Sequence, residues 1–316
     1  MEKCYKCKKE NAQYLVRSNK VCRNCFVYNT EHLFRSSLKN QLFPKKGEKV
    51  LACVSGGANS MVMLELVDTC RNSQKTKKLM QFVPDILYID DSVVYNTPSQ
   101  QTQDWLNKVR EKYQVECHLV KLEEEVPDIL ETLPSDPQAK SDLLYIKLHN
   151  IIEKFAFEHN YLKVITGESA SRISVLTMTQ ICKGRGIAAN KHSASPYSTD
   201  KVIIAKPLKE FLDKEIRLYQ HVTQPDLLTK LPLAHSSSKF MSGSIDMLIE
   251  NFLHCLQDKF PSTTHTLLRT SGKLRPLEIQ DRCELCQESL DRPTNVLEEF
   301  KVMNHRLCYA CHHLTN

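Results

Sequence analysis

A strand, a glycine turn and a helix start follow one another over residues 50–64, VLACVSGGANSMVML. The apolar run before the turn is typical of a buried parallel strand, and the apolar residues after it continue as a helix. The Gly56-Gly57 pair lets backbone N–H groups approach an anion closely, and a helix that begins near Asn59 directs its positive end to the same point. The segment predicts a cradle for phosphate or pyrophosphate, with hydroxyl donors from Ser55 and Ser60.

The same three letters, Ser-Gly-Gly, also occur in ordinary tight turns between a strand and a helix. An anion cradle has a buried strand of the parallel type before the turn and a helix that leads away from it. Both flanks are present here, and they favour the anion cradle over the simple turn.

Strand-like and helix-like segments alternate through the middle of the chain, which predicts an α/β fold with a doubly wound parallel sheet. A helix over Asn29–Gln41 is expected to link the N-terminal segment to this domain. Ligands of such sheets bind beyond the carboxyl ends of the strands. The predicted strands are Val50–Val54, Asp85–Asp90, Val115–Leu122, Lys163–Thr166 and Lys201–Ala205.

Three segments are therefore expected to converge on one cleft: the glycine turn, the Asp90-Asp91 pair and the turn over Gly167–Arg172. The two aspartates have two readings. They hold a ribose or a magnesium ion, or they cap the turn that follows the second strand. The sequence leaves these alternatives open.

Eight of the thirteen cysteines form four C-x-x-C pairs. Two such pairs close a tetrahedral site of four thiolates, which selects zinc or iron, and zinc is the usual ion of a small structural ribbon. His312 and His313 are adjacent alternatives to Cys311. The predicted ligands are Cys4, Cys7, Cys22 and Cys25 in an N-terminal ribbon, and Cys283, Cys286, Cys308 and Cys311 in a C-terminal ribbon.

Composition and charge fit a folded intracellular protein. Of 316 residues, 41% are hydrophobic and 25% are charged, and the net charge of +6 is compatible with a polyanion partner without requiring one. The N-terminus lacks the apolar core of a secretion signal, and no segment approaches the roughly 20 apolar residues of a membrane span. The expected domains are 1–28 (zinc ribbon), 29–48 (linking helix), 49–225 (α/β domain), 226–275 (helical extension) and 276–316 (zinc ribbon).

Several motifs occur together in an order that resembles the cytoplasmic tRNA 2-thiolation protein 2 family. They are CYKCKKENAQYLVRSNKVCRNCF with EHLFR, VLACVSGGANSMVML, VITGESASRISVLTMTQICKGRG, AKPLKEFLDKEIRLY and the terminal CELC and CYAC pairs. The resemblance implies a PP-loop fold of the adenine nucleotide alpha-hydrolase type and a cytoplasmic location. It also implies a heterodimer with a catalytic paralogue, tRNA 2-thiolation protein 1. That pair 2-thiolates the wobble uridine of the tRNAs for lysine, glutamine and glutamate, with sulfur from a thiocarboxylated ubiquitin-related modifier protein and activation by ATP.

The chain departs from the catalytic relatives at several places. Asn59 occupies the acidic position of their Ser-Gly-Gly-x-Asp-Ser signature, and Ser171 and Arg172 occupy the acidic positions after the fourth strand. The segments 140–143 and 230–235 contain none of the relatives' cysteines, so a persulfide or an iron–sulfur site is not expected there. We therefore expect no catalytic residues in this chain. Nucleotide binding by a degenerate PP-loop of Ser55, Gly56, Gly57, Asn59 and Ser60 is left open.

Basic residues after the fourth-strand helix, Lys183, Arg185 and Lys191, are candidate contacts for RNA phosphates, and a solvated basic surface is the alternative. Three functions compete at this point. The first is a non-catalytic subunit of a tRNA-uridine thiolase. The second is a self-sufficient PP-loop ATP pyrophosphatase that uses Asp90 or Glu168 as its acid. The third is a zinc-ribbon RNA-binding scaffold.

Overall fold

The computed structural model describes residues 2–72, 80–95, 99–184, 186, 189, 193–199, 201–223, 244–274, 282–287, 307–308, 311–312 and 314. The strands are β1 (Tyr14–Val16), β2 (Asn19–Val21), β3 (Lys49–Cys53), β4 (Val83–Asp90), β5 (Cys117–Lys121), β6 (Lys163–Ile165), β7 (Tyr197–Ser198) and β8 (Ile203–Ala205). The helices are α1 (Arg23–Leu42), α2 (Ala58–Asn72), α3 (Ser92–Tyr95), α4 (Ser99–Tyr113), α5 (Leu122–Glu125), α6 (Ile129–Thr132), α7 (Pro137–Glu158), α8 (Ala170–Cys182), α9 (Asp213–Thr223), α10 (Ile245–Lys259) and α11 (Thr263–Ser271).

The central sheet has the strand order β5-β4-β3-β6-β8-β7. Its first five strands are mutually parallel, and the short β7 pairs with β8 in the antiparallel sense. The predicted α/β class and its mostly parallel sheet are confirmed. A two-residue edge strand is too short to show a side-chain period, so β7 was not predicted.

Side chains of β3 alternate between the two faces of the sheet. Val50 and Ala52 pack against α1, α2 and α9, whereas Leu51 packs against Ile152 and Ala156 of α7. On β4, Leu87 joins the cluster around α7, and Ile86 joins a cluster with Leu106 of α4. Helices therefore cover both faces, which explains why these strands read as continuous apolar runs.

Several boundaries differ from the predicted ones. The linking helix begins at Arg23, well before Asn29, because the Cys22 sulfur accepts the backbone N–H of Cys25 and caps the helix. Two short helices, α5 and α6, follow β5, and α11 follows α10.

The chain divides into two compact units. The first contains Met1–Lys121, Ile152–Arg172 and Ser195–Ser236, and it holds the β1–β2 hairpin and the sheet. The second contains Leu122–Ile151, Ile173–Ala194 and Ser237–Asn316, and within it the C-terminal cysteines pack against Ile146. Within the described ranges, no helix is both long enough and apolar enough to cross a bilayer. The predicted domain boundaries remain predictions.

Candidate functional site

The predicted cradle lies at the carboxyl end of β3, and α2 begins at Ala58. Gly56 has a φ of +74°, the left-handed conformation that glycine adopts without strain. The Ser60 hydroxyl donates to the carbonyl oxygen of Gly57 at 2.9 Å and lies 3.3 Å from the hydroxyl oxygen of Ser55. Both predicted hydroxyl donors therefore already take part in hydrogen bonds within the turn.

Asn59, at the position where the catalytic relatives carry an acid, is bound to an acid from another helix. Its side-chain amide donates to Asp213 Oδ1 at 3.0 Å, and the hydroxyl of Ser169 donates to the same oxygen at 2.5 Å. Asp213 is the first residue of α9, and its own backbone N–H donates to Ser171 Oγ at 3.1 Å. Asp213 thus joins the cradle, the turn after β6 and the start of α9.

Gly167 allows the turn after β6 to lie against the cradle. A Cβ atom at this position would be 2.9 Å from Cα and 3.1 Å from the backbone nitrogen of Ser60. The separation is shorter than the van der Waals contact of two carbon atoms, about 3.5–4.0 Å. The glycine turn and the turn after β6, two of the three segments predicted to converge, are therefore in contact through their backbones.

Asp90 takes the capping role. Its carboxylate accepts the backbone N–H of Ser92 at 3.0 Å, at the start of α3. Glu168, the other acid considered for catalysis, accepts a hydrogen bond from the hydroxyl of Thr166. Burial raises the pKa of the nearby Cys53 thiol, which keeps that residue protonated and apolar in character.

The N-terminal quartet has the geometry of a tetrahedral thiolate site. The sulfur atoms of Cys4, Cys7, Cys22 and Cys25 lie within 4.8 Å of one another, with Cys7 and Cys22 3.9 Å apart. Four thiolates around zinc at about 2.3 Å would be separated by about 3.8 Å. A backbone N–H of Cys7 lowers the pKa of Cys4 to about 6, whereas burial raises the pKa values of Cys22 and Cys25, so the case for a metal rests on the arrangement of the sulfur atoms.

The C-terminal quartet repeats this geometry. Cys283, Cys286, Cys308 and Cys311 form a second group, and the sulfur atoms of Cys286 and Cys308 are 3.8 Å apart. Cys311, rather than the adjacent His312, supplies the fourth ligand-type atom of that group. Asn150 of α7 donates to the carbonyl oxygen of Leu285 at 3.0 Å, so the first C-x-x-C turn is fixed to this helix. Both quartets fit a bound metal ion.

Lys183, a predicted RNA contact, lies in a buried ion cluster within the second unit. Its ammonium is 2.8 Å from Asp142 Oδ1 and 3.3 Å from Asp246 Oδ1, and only 9% of its side chain is exposed. Gln138 joins the two acids by donating to Asp142 and accepting the backbone N–H of Asp246. The prediction that Lys183 contacts RNA phosphates is therefore wrong, because its ammonium faces two carboxylates. Arg185 and Lys191 lie outside the described residues.

A third group of ligand-type side chains lies at the amino ends of the strands. It contains Asp85, Glu116 and His118. The ammonium of Lys49 lies 3.1 Å from Asp85 and 3.5 Å from Glu116, so this cluster already contains its own cation. We assign no metal to it.

Comparison with known proteins extends these observations. The family model of cytoplasmic tRNA 2-thiolation protein 2 matches residues 244–306. The protein of that name from Danio rerio is 30% identical over 383 residues, covering 94% of this chain and 74% of the relative. The Homo sapiens protein of that name is 27% identical over 378 residues, covering 92% of this chain and 72% of the relative.

The chain belongs to the cytoplasmic tRNA 2-thiolation protein 2 family. Among solved structures, the U34-tRNA thiolase NcsA from Methanococcus maripaludis, determined with its [4Fe-4S] cluster, superposes with a TM-score of 0.71. The match covers 92% of this chain and 93% of NcsA at 18% identity, so it establishes a shared fold. The predicted family and PP-loop fold are confirmed.

The sequence located the strand, turn and helix of the predicted cradle but not Asp213, which contacts it. Asp213 lies in the motif AKPLKEFLDKEIRLY, and its position there is that of an ordinary acid in the first turn of a helix. One feature of the sequence could have indicated such a contact. A partly buried amide at position 59 needs a hydrogen-bond acceptor, and in the structure that acceptor is Asp213 of another helix.

Proposed function

We propose that this protein is a non-catalytic subunit of a cytosolic tRNA thiolase, required for 2-thiolation of the wobble uridine of the tRNAs for lysine, glutamine and glutamate. Membership of the cytoplasmic tRNA 2-thiolation protein 2 family supports the pathway and the cytoplasmic location. The fold shared with a U34-tRNA thiolase is consistent with it.

The observation that carries the non-catalytic role is the hydrogen bonding of the cradle. Asn59 and Ser169 both donate to Asp213, and Ser60 donates to the Gly57 carbonyl. The catalytic relatives carry an acid at position 59, and in this chain the amide that replaces it is bound to Asp213. The acid of the signature is therefore lost from the turn, and the side chains around the turn hydrogen-bond to one another.

In this proposal the chemistry belongs to a catalytic paralogue, tRNA 2-thiolation protein 1, which forms a heterodimer with this chain and takes sulfur from a ubiquitin-related modifier. The two cysteine quartets bind structural zinc, because each has four thiolates and separations that match a closed tetrahedral site. A closed site leaves no open position for substrate, so these ions stabilise the fold and do not react.

The test is nucleoside mass spectrometry of bulk tRNA from cells that lack this protein. We expect loss of 2-thiolated wobble uridine, its return with the wild-type chain, and an equal return with a Ser55→Ala/Ser60→Ala variant of the cradle. Unchanged thiolation in depleted cells would contradict the pathway. Failure of the cradle variant, despite wild-type expression level, would contradict the non-catalytic role.

The self-sufficient ATP pyrophosphatase is tested separately with the purified chain. Asp90 accepts the backbone N–H of Ser92 at the start of α3 and Glu168 accepts from Thr166, so each acid has a hydrogen-bonding role in its own turn. We expect no AMP and pyrophosphate above background when ATP and tRNA are supplied. Release of both products that depends on Glu168 would favour the enzyme over the subunit.

A further inference from the structure

A cavity of about 390 Å³ lies in the first unit, between the N-terminal ribbon, α1 and the segment before α9. Its apolar lining includes Phe26 and Phe211, each 3% exposed, together with Leu33. Its polar lining includes Lys6 and Asn29, and the ring of Tyr5, which is 68% exposed, stands beside them. An apolar pocket of this size with a few polar groups suits a small planar ligand.

The surroundings of the cavity are positively charged. Residues 1–28 contain seven lysines and arginines, all exposed, against two glutamates. A divalent ion with four thiolates would add a net charge of two negative units, and the excess of lysines and arginines over glutamates is larger than that. The acidic side chain that lines the cavity, Glu215, is held by Arg17 in a bidentate pair, with Nε–Oε1 at 2.6 Å and Nη2–Oε2 at 2.9 Å. The potential at the opening therefore favours an anion.

Exposed aromatic rings accompany these cations. Tyr28 is 58% exposed, and the ammonium of Lys6 lies 5.5 Å from the centre of its ring while donating to Asn29 Oδ1. Proteins bind unpaired nucleotides with this combination, in which bases stack on aromatic rings and cations meet the phosphates. A base within a duplex is stacked on both faces and could not enter the cavity.

We propose that this cavity holds one unstacked nucleotide of a single-stranded RNA loop, with the base on Tyr5 and the adjoining phosphates at Lys6 and the other exposed cations of the ribbon. The inference rests on the proposed function for the identity of the RNA as tRNA. It goes further in assigning the contact to the N-terminal ribbon and in requiring a nucleotide that is free to leave its stack.

The test measures binding of the full chain to a fluorescently labelled RNA hairpin with a single-stranded loop, and to a fully paired RNA duplex of equal length. Fluorescence anisotropy gives the dissociation constants. We expect tighter binding of the hairpin, and a roughly tenfold loss of its affinity in Tyr5→Ala, as stacking of one base on one ring implies. Tyr5→Phe retains the ring and should retain the affinity. Lys6→Ala should weaken binding and reduce its salt dependence.

Phe157→Ala is the matched control. Phe157 is also exposed, at 55%, and also lies beside an ammonium, with Lys201 Nζ 5.1 Å from its ring, but it does not line the cavity. Equal loss of affinity in Tyr5→Ala and Phe157→Ala would overturn the assignment, as would no binding of the hairpin by the wild-type chain. Metal content of each variant, measured alongside, shows whether the ribbon remains folded.

A further outcome distinguishes RNA from protein in the cavity. If Tyr5→Ala binds RNA normally but no longer co-purifies with the partner thiolase subunit, the cavity holds a protein segment and the RNA assignment is wrong.

The measurement of thiolated uridine in bulk tRNA separates the cavity proposal from the proposed function. If depleted cells lose thiolation but the purified chain does not bind the hairpin, only the proposal of a nucleotide in the cavity is refuted. If the chain binds the hairpin but its depletion leaves thiolation unchanged, only the proposed role in tRNA thiolation is refuted.

Discussion

The side-chain amide of Asn59 donates a hydrogen bond to the carboxylate of Asp213 over 3.0 Å. The pair joins the start of α2 to the start of α9 and places an acid beside the cradle, on a different helix from the one that carries it in the catalytic relatives. An aspartate at position 59 would put two carboxylates within hydrogen-bonding distance. The amide at 59 and the acid at 213 are therefore interdependent.

Asn59→Asp is expected to destabilise the protein and not to create an active cradle. The substitution removes a donor from Asp213 and introduces like-charge repulsion, at a cost of about 1–3 kcal/mol of the free energy of unfolding. Urea unfolding measures this loss, and AMP release should stay at background. The matched variant Asn59→Asp/Asp213→Asn reverses the direction of the amide–carboxylate bond and should regain most of the stability. A single variant as stable as the wild type would show that the pair has no energetic role.

Gly167→Ala is expected to destabilise the contact between the turn after β6 and the cradle. The added methyl group would lie 2.9 Å from Ser60 Cα, where backbone must move to accommodate it. Overpacking of this kind costs about 1–3 kcal/mol. Gly186→Ala is the control, because a Cβ there meets nothing within 4 Å and its φ does not require glycine. Thermal unfolding of the two variants should separate them, and equal midpoints would contradict the close approach.

The sequence predicted the parts of this fold that depend on local pattern. Apolar runs identified the five parallel strands, and a glycine pair after one of them located the turn between β3 and α2. The start of α1 was missed because its cap is Cys22, a residue type that is not among the usual helix caps. Cys22 is both a predicted metal ligand and the cap of α1. The C-x-x-C spacing predicts its role as a ligand, whereas no sequence pattern predicts its role as a cap.

The site was less predictable, because its defining contacts join distant parts of the chain. Asn59 and Asp213 are separated by 154 positions, and no local pattern relates them. Lys183 shows the same limit in the opposite direction. Its position in KGRG suggested an exposed basic loop, whereas two acids from distant helices, Asp142 and Asp246, enclose its ammonium.

Metal analysis should find two zinc ions per chain. Each quartet supplies four thiolates at the separation of a tetrahedral site, so mass spectrometry of the metal content should show one ion lost in Cys4→Ser and the other in Cys283→Ser. Cys70→Ser is the control, since this buried cysteine belongs to neither quartet, and it should retain both ions. Iron in place of zinc, with visible absorption, would revise the identity of the metal but not the ligands.

Lys183→Met is expected to be among the most destabilising single substitutions in the second unit. Removal of the ammonium leaves Asp142 and Asp246, with side chains 9% and 5% exposed, as neighbouring buried acids without their cation. Breaking a buried ion pair in this way costs about 3–5 kcal/mol.

Lys259→Met, at an exposed position on α10, is the matched control and should change the free energy of unfolding by less than about 0.5 kcal/mol. The triple variant Lys183→Met/Asp142→Leu/Asp246→Leu should recover much of the loss, because it removes the buried charges together with their partner. Chemical unfolding of the three proteins tests the cluster, and a Lys183→Met protein no less stable than Lys259→Met would show that the lysine is not required there.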